Sequence, residues 1–453
     1  MTGNHPAGNT DLLVIGAGLS GLMAAYTAAQ GGLRVQVVAK GLGSMHWSAG
    51  TVDVIGYTSE EPVEPVERPF DAIQAMGATH PAHPYVLLGA QQIQAALETF
   101  TALMAELGLP YSGAGGFAVQ APDGDAPGYS THGENLLLPS AVGALRPVFL
   151  APQAQMAGDS SRPEPLLIVG FRGLRDFYPE LIAYNLTRQG CQARAAFLPL
   201  SLLTEQSDRN NVHLAQALDD PARRAKLGRE LKQLAQPGER IGLPAILGLD
   251  DHAAALADLQ STAGAPVFEI PTLPPSVPGI RLYKALRAKL WSMGVRVDAG
   301  MEAIGASTIP AHNGTGGRVQ WVETATSSRP FKNRAKNFLL ATGGILGGGF
   351  DSDHTGRLWE VVFDLPVTVP QRRSQWFRPR FMNPAGHPVF NGGVAVDQDM
   401  QPVDAAGNVV YANLWATGGA LASVDPIQQH SLEGIAIASG VAAAKAIVRT
   451  MAQ

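Results

Sequence analysis

A chain of 453 residues exceeds what one hydrophobic core ordinarily supports, so two domains or lobes are expected. A net charge of −5 offers no basic footprint and argues against nucleic-acid binding, while 45% hydrophobic and 16% charged residues suit a well-packed enzyme. The single cysteine, Cys191, excludes an intramolecular disulfide and an iron–sulfur cluster held by this chain alone, and it fits a reducing, cytosolic setting.

Residues 1–10 are polar without an apolar signal core, and no run of about twenty apolar residues reads as a membrane span. Asp11 to Ile15 is an apolar run that predicts a buried strand. A glycine turn follows, then an Ala-rich helix from Leu22 to Gln30 stopped by Gly31-Gly32, then a second parallel strand from Val35 to Ala39. Residues 57–85 are an irregular Pro- and Glu-rich excursion, and a helical pattern covers about 86–107. Residues 109–160 are rich in Gly and Pro, broken by the apolar Leu136-Leu137-Leu138. Strand, helix and strand are predicted at 166–170, 176–189 and 194–200, with a polar helix near 215–235. A proline-fixed extended path from Pro271 leads into a helix beginning near Ile280. Strands at 336–341 and 413–416 enter Thr342-Gly343-Gly344 and Thr417-Gly418-Gly419. The last helix, 432–451, has Ser431 as its expected N-cap and Glu433 in its first turn.

The chemistry starts at Gly16-Ala17-Gly18-Leu19-Ser20-Gly21, a G-x-G-x-x-G that follows a strand and opens a helix. Gly16 allows the tight turn, Gly18 lets backbone approach a phosphate, and Gly21 lets the helix lie on the strand. The free N–H groups of the helix start then face the anion. The order of these pieces predicts an α/β, Rossmann-like FAD/NAD(P)-binding flavoprotein fold. Its halves are placed at 1–60 and 331–453, with an inserted α+β substrate or cap lobe at 61–330.

The acid that usually ends the second strand and holds an adenosine ribose is missing: Ala39 and Lys40 stand there. That favours FMN, with FAD as the alternative, and it weakens an NAD reading. Expected cofactor contacts are Gly16, Gly18, Gly21, Lys40, Ser48, Gly50, Thr342, Gly343, Gly418 and Gly434. Ser48 and Gly50 belong to a loop, 44–51, expected at the carboxyl end of the sheet. No metal ligands are expected. The catalytic base is unknown; His46, Arg281 and His387 are candidates, Arg281 as a clamp on a phosphate or carboxylate or as part of a stiff inter-lobe segment. Arg378, Arg380 and His430 are further polar candidates.

The chain resembles the B-subunit family of the anaerobic glycerol-3-phosphate dehydrogenases. The resemblance spans nearly the whole length. It rests on the opening turn, His46-Trp47-Ser48-Ala49-Gly50, His83-Pro84-Tyr85, Leu138-Pro139-Ser140, the stretch from Val169 to Phe177 and, most distinctively, Pro271 to Leu282. It implies a complex that oxidises sn-glycerol 3-phosphate to dihydroxyacetone phosphate and passes electrons towards menaquinone in anaerobic respiration. It further implies FMN here, with two partners in the same complex, one containing FAD and the other iron–sulfur centres. The location implied is cytoplasmic, peripheral to the inner face of the cell membrane, with membrane contact through a partner. Two rivals remain: a free-standing FAD-dependent dehydrogenase or reductase of a small acid, and a flavin-free structural component of the complex. Whether this chain oxidises substrate or relays electrons is open.

Overall fold

The computed structural model describes residues 10–58, 63–114, 133–205, 210–310, 316–326 and 329–453. The polar start at 1–9 and parts of the 57–85 and 109–160 stretches lie outside the described residues. The chain divides into two compact units, one of 1–44, 53–100 and 286–453, the other of 45–52 and 101–285. Residues 61–100 and 286–330, expected in the insert, thus fall in the first unit.

The first unit is built on a parallel sheet of five short strands, in the order 296–299, 35–39, 12–15, 337–340, 414–416. Leu12–Ile15 and Asn337–Leu340 are buried along their whole length, as strands covered on both faces must be. Val14 lies opposite Leu339 on one side and Val37 on the other. The opening helix, Leu19–Gln30, and the closing helix, Leu432–Ala452, pack on one another. Their approach is close: a Cβ on Gly440 would stand 2.5 Å from the Ser20 carbonyl oxygen. An antiparallel sheet of 302–309, 318–325 and 331–333 follows the edge strand 296–299 in the same unit. The closing helix is long and apolar enough to cross a membrane by composition, with a mean hydropathy of 1.5 in its best window. Yet 61% of that window is buried inside the protein, where it serves as a core helix.

The second unit has its own parallel sheet of four strands, in the order 267–270, 240–244, 166–172, 193–199. Helices 179–188, 211–217, 221–234 and 252–263 connect these strands. The antiparallel part of the expected α+β lobe is the hairpin of Leu136–Pro139 with Leu145–Val148 and the pairing of Tyr111–Ser112 with Ala151–Pro152. The core is mainly aliphatic, with Leu167, Ile168, Leu227 and Leu259 fully buried beside Phe171, Phe177 and Phe268. Arg240 is held inside by carbonyl oxygens of Ala157, Asp159, Arg162 and Glu164.

Candidate flavin site

The glycine turn sits at the end of the central strand of the first unit. Gly16 has φ +123°, and a Cβ there would lie 2.1 Å from the Ala341 carbonyl oxygen, so neither backbone nor space admits a side chain. A Cβ on Gly21 would lie 2.1 Å from the Gly16 carbonyl oxygen, which fixes the helix against the turn. Gly18 differs. Its backbone is extended, at φ −74° and ψ 177°, and a Cβ there would meet nothing within 4 Å. The fold therefore needs no glycine at 18, whereas close approach of an anion to the backbone does. The Leu22 N–H donates to the Gly18 carbonyl as the first bond of the helix, leaving the N–H groups of residues 19–21 without intrahelical partners. No acidic side chain stands in the first turn to compete for them.

The two Thr-Gly-Gly turns lie against each other: a Cβ on Gly344 would stand 2.5 Å from the Gly419 carbonyl oxygen. Gly343 and Gly418 both have positive φ. Thr417 and Gly418 are tied to the closing helix, since Ser439 Oγ lies 2.7 Å from Thr417 Oγ1 and accepts the Gly418 N–H. Thr342 Oγ1 and Ser431 Oγ are buried without a hydrogen-bond partner among the described residues. Ser431 occupies the N-cap position, yet its side chain makes no cap bond, contrary to the expected cap. A flavin nucleotide fits this donor set: an open anion cradle at Gly18 on a helix N-terminus, an unpartnered hydroxyl on Thr342 in the first Thr-Gly-Gly turn, and another on Ser431 at the start of the closing helix.

At the end of the second strand, Lys40 Nζ pairs with Glu302 at 2.8 Å. The Met301 N–H donates to the Ala39 carbonyl at 2.9 Å, which brings Glu302 there. A carboxylate absent from the strand's own sequence thus arrives from a segment more than 250 residues away. Only the pairing of strand 296–299 with strand 35–39 places it, so the sequence carried no local signal.

Gly434 is packed rather than open, since a Cβ there would meet Tyr85 Oη at 2.3 Å and the Asp53 carbonyl at 2.8 Å. His430 has φ +47°, faces Asp53 at 3.8 Å and meets the Tyr57 ring edge-on. Deep burial pushes His83 down to about 4; its Nε2 pairs with Gln429 and its Nδ1 accepts the Tyr85 N–H.

Ser48, Gly50 and His46 lie in the second unit. Their segment is seated on the proline-rich stretch: the Ser276 N–H donates to the His46 carbonyl at 2.7 Å, and a Cβ on Gly279 would collide with the Met45 carbonyl. Ser48 Oγ accepts the Gly50 N–H. Partial burial holds the His46 imidazole below its usual pKa, so it is neutral at pH 7, and its buried Nε2 has no partner among the described residues. Arg281 does clamp a carboxylate, but one belonging to this chain. Its two terminal nitrogens bind Glu269 at 2.8 and 2.9 Å, and Nε donates to the Gly248 carbonyl. Burial pushes Glu269 up, and the guanidinium overcomes that and holds it below the usual carboxylate range. His387 is engaged at both ring nitrogens by backbone of Arg378 and Phe381. Past the carboxyl ends of strands 166–172 and 193–199, a cavity of about 460 Å³ is lined by Phe171, Arg172, Phe177, Tyr178 and Phe197. None of the candidate site residues lines it.

Parallel sheet, glycine cradle and paired Thr-Gly-Gly turns define a flavoprotein of the dinucleotide-binding class. The FAD binding domain family matches residues 11–435. The chain is 31% identical over 450 residues to the probable anaerobic glycerol-3-phosphate dehydrogenase B-subunit of Halobacterium salinarum, covering 96% of this chain and 97% of that one. It is 30% identical to the anaerobic glycerol-3-phosphate dehydrogenase B-subunit of Pectobacterium atrosepticum, covering 97% and 98%. Among solved structures, the 3-ketosteroid delta1-dehydrogenase of Sterolibacterium denitrificans matches with 12% identity and a TM-score of 0.44, covering 97% of this chain and 99% of that one. The chain belongs to the FAD binding domain family and, within it, to the B-subunits of anaerobic glycerol-3-phosphate dehydrogenase.

Proposed function

We propose that this chain is the flavin-containing component of a complex that oxidises sn-glycerol 3-phosphate to dihydroxyacetone phosphate and delivers the electrons to a quinone. The observation that carries the flavin half is Gly18, a glycine the packing does not require, at the mouth of a helix. The backbone N–H groups of residues 19–21 would hold the cofactor phosphate. A bound flavin supplies the acceptor for the hydride leaving C2 of the alcohol. The partners are one protein containing FAD and another carrying iron–sulfur centres, and the complex lies at the inner face of the cell membrane.

FMN is the nucleotide of this reading. The end of the second strand offers an ion pair, Lys40 with Glu302, rather than a lone carboxylate for an adenosine ribose. FAD is the second reading, favoured by the arrival of Glu302 at that position and by the family's FAD-binding description. Releasing and chromatographing the flavin from the chain, purified alone and with its partners, decides between them. FMN at one per chain supports the first, FAD transfers the ribose role to Glu302, and no flavin overturns both.

A further inference from the structure

Residues 365–396 contain no aspartate or glutamate, yet they hold Arg372, Arg373, Arg378 and Arg380 in a chain whose net charge is −5. Within this stretch, every residue of 371–382 except Trp376 is exposed. Phe381 is 88% exposed, Met382 79% and Phe377 57%.

The loop is nonetheless held in shape. Trp376 is buried, donates from Nε1 to the Pro370 carbonyl, and its own carbonyl accepts the Val389 N–H. His387 Nδ1 accepts the Arg378 N–H at 3.0 Å, and its Nε2 lies 2.9 Å from the Phe381 carbonyl, which the neutral Nε2–H tautomer satisfies. The ring of His387 packs edge-on to Phe377 and Phe390. So a histidine read from sequence as a catalytic candidate braces a loop whose tip presents two apolar side chains to solvent.

We propose that this loop docks directly on an anionic lipid surface, Phe381 and Met382 entering the headgroup boundary and the arginines meeting lipid phosphates. Charge complementarity selects the occupant: an uninterrupted cationic strip seeks an anionic plane, and exposed apolar tips seek an interface with an apolar side. A small phosphate ligand fits less well. It wants converging donors, whereas Arg373 donates to the Asp353 carbonyl and Arg378 to the Gly386 carbonyl, on different segments. The inference is independent of the flavin reading.

The test is flotation of the full-length chain, as purified, with phosphatidylcholine vesicles, with and without phosphatidylglycerol. Binding is expected only with the anionic lipid, and it falls as salt rises. Arg378→Glu with Arg380→Glu is expected to weaken it at least about 25-fold, at roughly fivefold per arginine. Phe381→Ser with Met382→Ser keeps the charge and removes the insertion, and is expected to abolish flotation. Because these side chains are exposed, the thermal midpoint of each variant should match the parent, which separates docking from misfolding. Equal flotation with both vesicle types, or variants that float like the parent, overturns the proposal. So does a parent that does not float while the same variants lose co-purification with a partner protein, which would assign the loop to an acidic protein surface.

Discussion

Gly18→Val separates binding from folding better than any other change in the cradle. Its side chain would enter space that no protein atom lines within 4 Å, on backbone that any residue adopts. The expected cost to stability is about 1 kcal/mol, that of a poor N-cap residue, while flavin retention is lost. The same change at Gly16 or Gly21 would drive a Cβ into backbone carbonyls and unfold the turn, so flavin loss there would say nothing about the ligand. A folded Gly18→Val protein with normal flavin content would sink the cradle. Two buried groups in the same unit set its response to pH. Burial raises Glu360 to about 7, against the backbone N–H groups of Phe363, Val362 and Leu365 that favour its charged form. Folded protein therefore keeps a proton that unfolded chain releases, and this contribution to stability fades as pH rises from about 4.5 towards 7. His83 runs the opposite way: lowered to about 4 by burial, it contributes stability above about 6.5 that is lost as pH falls towards 4. Each is worth about 3 kcal/mol at 1.36 kcal/mol per pKa unit, so between pH 4.5 and 6.5 they offset one another. Glu360→Gln should leave a protein whose urea midpoint climbs with pH across that window, and His83→Gln one whose midpoint declines. Parallel profiles for both variants and parent would refute the pairing.

At the scale of the element, the helix 277–292 and the strand 267–270 are joined by the Arg281–Glu269 pair, whose carboxylate is fully buried. Arg281→Ala leaves that charge without its partner and is expected to cost about 3–5 kcal/mol. Glu269→Gln combined with Arg281→Met should recover most of the loss, and urea unfolding measures both. If Arg281 served substrate instead, KM would rise while the unfolding midpoint stayed put. This pair also marks where the sequence stopped being legible. The strand at 12–15 is an unbroken apolar run beside a glycine turn and that at 35–39 is apolar except for Gln36, so pattern and spacing placed them within a residue. Strands at 240–244 and 267–270, for which no element was expected, begin with or carry charge, as Arg240 and Glu269; only tertiary partners make those charges tolerable inside. The polar helix expected at 215–235 is two helices, because Asp219, Asp220 and Pro221 end one and cap the next. In the site, glycines were readable because their spacing is local. Glu302 and the duty of His387 were not, because each depends on a contact with a segment that the local pattern does not specify.

Across the whole molecule, the two units each have a parallel sheet and a core of their own, but only one contains the glycine cradle and both Thr-Gly-Gly turns. A ligand stabilises what it binds by RT ln(1 + [L]/Kd), about 2.7 kcal/mol when present at 100 times its dissociation constant. That increment should appear in the strands and helices of the first unit and not in the sheet of the second. Hydrogen exchange followed by mass spectrometry can read this directly. Flavin addition is expected to slow exchange in the slowest amides of 12–39, 337–340 and 432–452 by roughly 100-fold, the equivalent of 2.7 kcal/mol. Peptides from 166–172 and 240–270 should be unaffected. Five of the six tryptophans, 291, 321, 359, 376 and 415, lie in the first unit, so a flavin-dependent shift of the fluorescence midpoint reports the same event. Equal protection gained in both sheets would mean that the chain opens as one cooperative body, and the stability of the second unit would then be inseparable from cofactor loading.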